Sequence, residues 1–500
     1  MKKRLITIFL AILLICTLCV TIVACNNNSV YLTYTKDDGT YSVKANPYAV
    51  IPENVVIPST YKDRAVTSIE SRAFYDCDSI TSITIPDSVT SIGWEAFDNC
   101  DSLSSLNYLG TIEQWCGITF GKNEVDSLNN GLKLYINGEL VEKDLIIPDT
   151  VTEINDYAFS YCTSLSNVTI PDSVTSMGRY AFAGCPIEYA SIPTLAISSI
   201  SKSNLKEVVI TSGDSIGDKA FYNCDSLTSV TIPDSVTSMG DDAFANCTSL
   251  SSVTIGSSVT SIGEEAFSSC YSLNSVNYLG TIEQWCGITF GGYYGGGNPL
   301  YNGAKLYLNG ELVEDLVIPN TVTKIKDYAF YGCTSITSVT IPDSVTSIGE
   351  DAFYKCPIEQ ASIPTLAISS ISKSKLKEVV ITGGDSIGFE AFCGCTSLCS
   401  VTIPDTVTRI GSYAFYECKT LTSVTIPDSV TSIGIGAFNS CNSLSTVYYN
   451  GTEEEWSGIS IGSNNSKLTG ATRYYYSETE PTTSGNYWHY GDDDGVPTPW

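Results

Sequence analysis

Histidine is almost absent from this chain: it occurs once in 500 residues, as His489 near the C-terminus. The composition therefore gives little support to catalysis by a histidine base or to metal centres with imidazole ligands. Charged residues are also scarce, at 16%, and 54 acidic residues face only 26 basic ones, which gives a formal net charge of −28. Such a chain repels phosphate backbones and anionic headgroups, so we expect no nucleic-acid partner and no docking of basic patches on membranes.

The first 25 residues indicate export and are not expected to belong to the fold. Three basic residues at 2–4 precede an uncharged run at 5–24, which is typical of a secretory signal. The run ends in Ile-Val-Ala-Cys, which resembles a bacterial lipobox. We therefore predict a lipoprotein signal peptide at 1–24 and lipid attachment at Cys25, which is the predicted contact with the membrane. An uncleaved membrane anchor is the alternative, since the run is long enough to span a bilayer.

The rest of the chain repeats a unit of 23 residues. The segment VTIPDSVTSIGEDAFYKC at 339–356 returns with small changes at 168–185 and 424–441. An Ala-Phe pair marks twelve such units, whose phenylalanines are Phe74, Phe97, Phe159, Phe182, Phe221, Phe244, Phe267, Phe330, Phe353, Phe392, Phe415 and Phe438. A fixed period of this length predicts a solenoid, in which each unit stacks on the next.

A single unit shows where its strand lies. In the stretch ITSVTIP, Val339 and Ile341 alternate with Ser338 and Thr340, so one face is apolar and the other carries hydroxyls. Pro342 ends the strand, because proline cannot donate to a sheet ladder. No unit can bury its apolar face alone, so we expect stability to come from contacts between neighbouring coils.

The repeated pattern closely resembles that of the BspA-like leucine-rich-repeat proteins of bacterial surfaces. The resemblance rests on the units L-x-x-V-T-I-P-D-S-V-T-S-I-G-x-x-A-F-x-x-C and extends over residues 50–476. It implies a β-rich leucine-rich-repeat solenoid: a curved arc with a parallel β-sheet on its concave face, and short turns and short helical segments elsewhere. It also implies a secreted or anchored protein, in many cases involved in adhesion.

A longer period lies above the short one. The string NYLGTIEQWCGITFG occurs identically at 107–121 and 277–291, and a related segment at 448–462 begins a third copy. We call these segments, with the residues that follow them, the spacers. Within them GTIEQW predicts a helical turn, and the Asn-Gly pairs of LYINGEL and LYLNGEL predict tight turns between extended segments. We interpret the spacers as modified coils of the same solenoid.

The ends of a solenoid need covers, because an exposed coil is both apolar and an open sheet edge. The segment VYLTYTKDDGTYSV predicts a hairpin that turns at Asp-Gly. After the signal peptide we therefore predict a polar tether and N-terminal cap hairpin at 25–49 and the solenoid at 50–446. A partial spacer copy at 447–476 is predicted as the C-terminal cap, and a polar tail at 477–500.

Two segments match the G-x-S-x-G pattern of serine hydrolases, around Ser215 and Ser386. Each serine would need a histidine base, and His489 lies in the predicted tail. Both serines also align with the second extended segment of ordinary units. We predict repeat segments here, no catalytic residues and no enzyme.

The cysteines form a series in which twelve lie three residues after a repeat phenylalanine, from Cys77 to Cys441. Such a ladder offers each sulfur equivalent neighbours rather than a dedicated mate, so we predict reduced thiols in the core, with disulfides between coils as the alternative. Cys393, Cys395 and Cys399 lack a fourth zinc ligand.

Aspartates follow the turn proline in many units, at Asp87, Asp172, Asp234, Asp343, Asp405 and Asp428. We predict a solvated acidic edge, with a calcium row as the weaker alternative. We therefore predict neither a metal site nor a cofactor.

Tyr293 and Tyr294 lie in a glycine-rich stretch and, with the exposed tyrosines of the spacers, are the candidate ligand contacts, because tyrosines on a mobile loop are common at adhesive surfaces. The function predicted first is that of a lipid-anchored surface protein that binds an extracellular protein or glycan in adhesion to host or other cells. A structural surface spacer without a dedicated ligand is the alternative, and a secreted hydrolase ranks last.

Overall fold

The computed structural model describes residues 30–121, 132–292, 295–482, 484–491 and 497–500. Short strands and turns make up most of these residues, together with a few short helices. No helix in this part of the chain has the length and hydropathy of a membrane-crossing segment. The chain divides into two compact units, Met1–Gly213 and Asp214–Trp500.

The strands of the first unit are β1 (Leu32–Asp37), β2 (Thr40–Ala45), β3 (Asn54–Val56), β4 (Thr60–Tyr61), β5 (Arg64–Ile69), β6 (Ser82–Ile85), β7 (Ser91–Ile92), β8 (Ser105–Tyr108), β9 (Thr119–Phe120), β10 (Lys133–Ile136), β11 (Glu139–Leu140), β12 (Lys143–Ile146), β13 (Glu153–Ile154), β14 (Leu165–Thr169), β15 (Ser176–Met177), β16 (Tyr189–Ile192) and β17 (Glu207–Ile210). A helix α1 (Ile112–Cys116) and a 3-10 helix (Thr194–Ala196) complete it. The unit opens with the antiparallel hairpin β1–β2, which turns at Asp38 and Gly39.

The strands of the first unit pair in series. The orders are β1-β2-β5-β7-β9, with β4 beside β5, then β11-β10-β8-β6-β3, β12-β14-β16-β17 and β13-β15. All pairs are parallel except the hairpins β1–β2, β4–β5 and β10–β11.

The strands of the second unit are β18 (Ser215–Ile216), β19 (Ser229–Ile232), β20 (Ser238–Met239), β21 (Ser252–Ile255), β22 (Ser261–Ile262), β23 (Ser275–Tyr278), β24 (Thr289–Phe290), β25 (Lys305–Leu308), β26 (Glu311–Leu312), β27 (Asp315–Val317), β28 (Lys324–Ile325), β29 (Ser338–Thr340), β30 (Ser347–Ile348), β31 (Gln360–Ile363), β32 (Glu378–Ile381), β33 (Ser386–Ile387), β34 (Ser400–Thr402), β35 (Arg409–Ile410), β36 (Ser423–Ile426), β37 (Ser432–Ile433), β38 (Thr446–Tyr449), β39 (Ser460–Ile461), β40 (Thr472–Tyr476), β41 (Tyr487–Tyr490) and β42 (Pro497–Pro499). Its helices are α2 (Ile282–Cys286), α3 (Glu453–Gly458), α4 (Ser466–Thr469) and a 3-10 helix (Thr365–Ala367).

Each regular coil gives a longer strand to one parallel sheet and a two-residue strand to another. In the second unit the longer strands pair in the orders β19-β21-β23-β25-β26, β27-β29-β31-β32-β34 and β36-β38-β40-β41-β42. The short strands pair as β18-β20-β22-β24, β28-β30 and β33-β35-β37-β39. Ser229 lies beside Ser252, which lies beside Ser275, so the register advances by one repeat. The predicted leucine-rich-repeat fold with parallel sheets is confirmed.

The repeat phenylalanines form the centre of each coil. Their rings are buried, and in seven pairs of adjacent coils they stack on one another with centroids 5.0–5.8 Å apart. The backbone supports the stack, because Phe221 N donates to Ala243 O and Phe244 N donates to Ala266 O. Adjacent coils are therefore joined by both aromatic stacking and main-chain hydrogen bonds in the turn segment that contains the phenylalanine.

Two backbone features allow each coil to turn and to pack closely against its neighbour. The second residue after each phenylalanine adopts a left-handed conformation, as at Asn246 with φ 61°, and glycine takes this place at Gly332 with φ 76°. Asparagine and glycine tolerate that conformation best. At the end of the short strand, a Cβ on Gly349 would lie 2.2 Å from Asp327 N, so only glycine fits there.

The spacers form helix-containing coils, as the sequence predicts. Thr111 and Gln114 form a capping box on α1, and Thr281 and Gln284 form the same box on α2. The tryptophan of each helix is buried, and in the first unit Trp115 Nε1 donates to Ala158 O at 2.8 Å. Each of these two spacers ends in an Asn-Gly hairpin, β10–β11 or β25–β26, at which its parallel sheet stops.

The segment at 477–500, which we predicted as a polar tail, contains two strands. Strand β41 pairs with β40, and β42 returns antiparallel to β41. Trp488 is fully buried, and its Nε1 donates to Tyr449 O at 2.8 Å. This part of the chain therefore covers the last coil of the second unit.

Candidate functional site

The longer strands of both units present a polar outer face. In the sequence Ser-Val-Thr-Ile the valine and isoleucine are buried, whereas the serine and threonine are half-buried and point away from the core. Successive coils place these hydroxyls in rows, such as Ser229–Ser252–Ser275 and Thr231–Thr254–Asn277. We call this surface the outer sheet face. It offers hydrogen-bond donors and acceptors at strand spacing, and a few strands add an exposed charged side chain, such as Glu207 or Lys305.

The two complete spacers add other side chains to the outer sheet face. In the second unit Asn277 lies beside Tyr307, which lies beside Leu312 of the hairpin. In the first unit Asn107, Tyr135 and Leu140 occupy the same places. The sequence analysis named the exposed tyrosines of the spacers as candidates only as a group, and the period-2 alternation of KLYING and KLYLNG is the signal that puts these two on the hydroxyl side of the strand.

The incomplete third spacer differs at this position. Tyr448 replaces the asparagine and lies beside Tyr474. The two rings are 5.7 Å apart, and Trp488 lies 5.5 Å from Tyr448. The ring of Tyr448 is therefore already packed against other rings of this unit.

The predicted site residues Cys25, Tyr293 and Tyr294 lie outside the described residues. The stretch that follows the two tyrosines does not form the flexible loop that its glycines indicated. Residues 295–300 are buried, and the side chain of Asn298 donates from Nδ2 to Tyr328 O at 2.6 Å.

The cysteine ladder has a definite hydrogen-bond acceptor. In seven coils the thiol donates to the carbonyl oxygen of the phenylalanine in the preceding coil at 2.9–3.3 Å; the thiols belong to Cys100, Cys185, Cys247, Cys270, Cys356, Cys418 and Cys441. All described cysteines are free thiols. Burial raises the pKa of Cys100, Cys185 and Cys270 to about 12. These sulfurs are structural hydrogen-bond donors rather than reactive thiolates.

This arrangement predicts selective labelling of the thiols. Cys399 is exposed, whereas Cys247 and Cys270 are buried and held in the protonated form. At pH 8, iodoacetamide should modify Cys399 of the native protein within minutes and reach the two ladder cysteines only after unfolding in urea. Mass spectrometry of tryptic peptides measures each site, and Cys399→Ser identifies the rapid one. Equal labelling of Cys247 in native and unfolded protein would show that the ladder is not buried.

The two G-x-S-x-G serines do not form a hydrolase centre in the described structure. Both begin two-residue strands, and the Ser386 hydroxyl donates to Asp385. His489, the one histidine of the chain, stacks on Trp500 with ring centroids 3.9 Å apart, and its Nδ1 lies 2.9 Å from Tyr490 O. The imidazole thus packs against groups of the C-terminal strands.

The aspartates after the turn proline take part in contacts between coils. Asp172 accepts hydrogen bonds from the hydroxyls of Thr211 and Ser212 at 2.6 and 2.7 Å, and Asp343 accepts one from Thr382 at 2.9 Å. They therefore act as hydrogen-bond acceptors within the fold. In the described ranges no group of three or more His, Cys, Asp or Glu side chains is arranged to hold a metal ion.

The comparisons with known proteins agree with this architecture. The profile of the BspA type leucine-rich repeat region matches residues 53–131, 138–212, 198–292, 303–379 and 369–467, which together make up most of the chain. The chain belongs to the BspA-type leucine-rich repeat family. It is thus a repeat protein of a family whose solenoids serve as binding scaffolds. No curated protein is significantly similar to it.

Several solved structures share the repeat. A leucine-rich repeat protein from Bacteroides ovatus is 27% identical, with 87% of this chain and 89% of that chain covered and a TM-score of 0.32. A leucine rich cell surface protein from Faecalibacterium prausnitzii is also 27% identical, with 87% and 97% covered and a TM-score of 0.25. The pneumococcal vaccine antigen PcpA is 16% identical, with 90% and 93% covered and a TM-score of 0.26.

Proposed function

We propose that this BspA-type protein is lipid-anchored at the bacterial cell surface and binds an extracellular protein or glycan through its outer sheet face in adhesion to host or other cells. The observation that carries the proposal is the row structure of that face. Half-buried, uncharged side chains of successive coils stand side by side, as in Ser229–Ser252–Ser275. Solenoids commonly use such extended surfaces for recognition.

The construction of the coil supports this use. Serine and threonine side chains have little rotamer freedom to lose, and each stands on a strand whose neighbours are fixed by main-chain hydrogen bonds. The buried phenylalanine stack beneath keeps the strands in place. A surface that is ordered before it meets a ligand loses less entropy on binding, so modest contacts suffice for affinity.

Binding of the full mature chain to host cells, matrix proteins and mucin tests the proposal. We expect saturable binding to at least one of them. If none of them shows saturable binding, the alternative of a surface spacer is favoured. The near-identical coils are consistent with that alternative, since repetition builds length without a unique site. We also propose contacts by Tyr293 and Tyr294, and the double alanine variant tests them against wild type in the same assay.

Lipid attachment at Cys25 gives a separate prediction. Cells that express the wild-type chain should incorporate labelled palmitate into it, and Cys25→Ala should abolish the label and release the protein from the membrane fraction. Cys399→Ser is the matched control and should keep full labelling, because Cys399 lies far along the chain in a repeat coil. Persistent label in Cys25→Ala would contradict the anchor without affecting the binding proposal.

A further inference from the structure

We propose that the outer sheet face of each unit carries a subsite for a neutral glycan. One is formed by Asn277, Tyr307 and Leu312 in the second unit, and the other by their counterparts in the first unit. The inference rests on the proposed function and names the ligand class and the place where it binds. We call these positions the spacer subsites.

The subsite of the second unit is a row of directly paired residues. Thr254 on β21 lies beside Asn277 on β23, which lies beside Tyr307 on β25. Leu312 on the hairpin strand β26 pairs with Tyr307 from the other side. Since neighbouring strands are about 4.8 Å apart, the row from Thr254 to Tyr307 spans roughly 10 Å. A ligand that lies across the strands can therefore touch all four side chains.

The side chains of this row have complementary chemistry. The ring of Tyr307 is half-buried and makes no contact with another aromatic ring among the described residues. Asn277 Oδ1 accepts from Gly310 N at 2.8 Å, which fixes the amide oxygen, and its Nδ2 is a hydrogen-bond donor. Leu312 is 36% exposed and extends the apolar floor next to the ring. The row thus offers a flat apolar surface beside hydroxyl and amide groups.

A sugar ring has the same two properties, with C–H groups on its faces and hydroxyls around its edge. It can lie on the tyrosine ring while its hydroxyls exchange hydrogen bonds with Thr254 and Asn277. The row itself contains no charged side chain. Lys305 is exposed beside the row, two residues before Tyr307 on β25. This single positive charge is outweighed by the net charge of −28, which disfavours a polyanion, so a neutral glycan fits better than an acidic one.

The apolar area of the row argues against a protein as its ligand. A specific protein interface is centred on a cluster of buried aromatic or aliphatic side chains within roughly 800 Å² on each partner. In the spacer subsite, one tyrosine and one leucine are surrounded by polar residues. This composition matches a narrow ligand with both polar and apolar surface.

The same residue types are paired in the first unit, although Asn107 Oδ1 is buried without a hydrogen-bond partner among the described residues, whereas Asn277 Oδ1 has one. Thr84, Asn107 and Tyr135 are paired across β6, β8 and β10, and Leu140 pairs with Tyr135. A lysine stands next to the tyrosine in both copies, at Lys133 and Lys305, and both lysines are exposed. Two copies give one chain two places at which a ligand with repeated units can bind.

The test uses the full mature chain with Tyr135→Ala and Tyr307→Ala combined. The probes are three neutral polysaccharides, dextran, mannan and galactan, and one acidic polysaccharide, hyaluronan. Native gels that contain each polysaccharide, followed by titration calorimetry, measure the affinity. We expect at least one neutral polysaccharide to bind, and the double variant to bind it at least tenfold more weakly.

Three controls make the result specific. Tyr222→Ala combined with Tyr271→Ala removes two exposed tyrosines outside the strands and should change affinity less than twofold. The pair Tyr135→Phe and Tyr307→Phe keeps the rings and should keep most of the affinity. Circular dichroism melts should agree among all variants, which shows that any loss of binding does not come from unfolding.

Several results would overturn the inference. Unchanged affinity of the Tyr135→Ala/Tyr307→Ala variant would do so, as would binding to hyaluronan alone. Equal binding of wild type and variant to a protease-sensitive ligand on cells would overturn the subsites but support the proposed function. Failure to bind cells, matrix proteins and all four polysaccharides would overturn both.

Discussion

Replacement of Phe244 by alanine should lower the free energy of unfolding of the second unit by about 3–5 kcal/mol. The ring is completely buried, and its centroid lies 5.2 Å from those of Phe221 and Phe267 on its two sides. Its removal leaves a cavity inside the stack and takes away two ring contacts. Since neighbouring coils are fixed by main-chain hydrogen bonds, the cavity has little freedom to collapse.

Urea unfolding followed by circular dichroism checks this expectation. Because repeat proteins can depart from two-state behaviour, the midpoint and the width of the transition are both compared. Tyr271→Ala is the matched control: this tyrosine is 74% exposed, so its loss should change stability by about 0.5 kcal/mol or less. If both variants unfold at the wild-type midpoint, the phenylalanine stack is not the stabilising core of the solenoid.

The regular coils could be predicted from the sequence because their information is local. Alternation such as that of Val339 and Ile341 with Ser338 and Thr340 fixes which side of a strand is buried. The period then fixes the register, since a slip of one residue would turn the apolar side chains outward. The parallel sheets and the outer hydroxyl rows both follow from these two facts.

Contacts between segments distant in the chain were harder to predict. The glycines around 291–297 suggested a mobile loop, but Asn298 is buried and bonded to Tyr328 O, which lies a full coil away. The thiol ladder was expected to be core packing, whereas its donation to phenylalanine carbonyls depends on how close adjacent coils stand. Neither feature is encoded in a short pattern.

The candidate site also has one part that the sequence could predict and one part that it could not. The hydroxyl rows follow from the repeat, but the spacer subsites need a neighbour that sequence spacing alone does not provide. Asn277 and Tyr307 meet only because β25, after an irregular connection, returns to the register of β23. The lesson for related chains is to examine the strand that follows each spacer, where one aromatic residue can distinguish an otherwise uniform face.

The C-terminal strands lead to the second large effect. Trp488→Ala should destabilise the end of the second unit by about 3–5 kcal/mol, because the indole is fully buried. Its ring also contacts Tyr448, Tyr476 and Tyr490 at centroid distances of 5.5, 5.3 and 4.8 Å. Its loss should free β41 from the two residues of β40 with which it pairs, Tyr475 and Tyr476, and expose more of that sheet edge, which favours association between molecules.

Hydrogen exchange of the amides in 446–449 and 472–476, together with light scattering, measures these consequences. Trp488→Phe keeps a ring but loses the hydrogen bond to Tyr449 O, so it should cost about 1 kcal/mol. Tyr271→Ala is the control, since this side chain is 74% exposed and lies in another coil, so its loss should leave exchange of these strands unchanged. If these amides exchange at the wild-type rate in Trp488→Ala, the last coil is stable without its cover. Faster exchange limited to these two strands would instead establish residues 487–490 as the cover that a stack of apolar coils requires at its end.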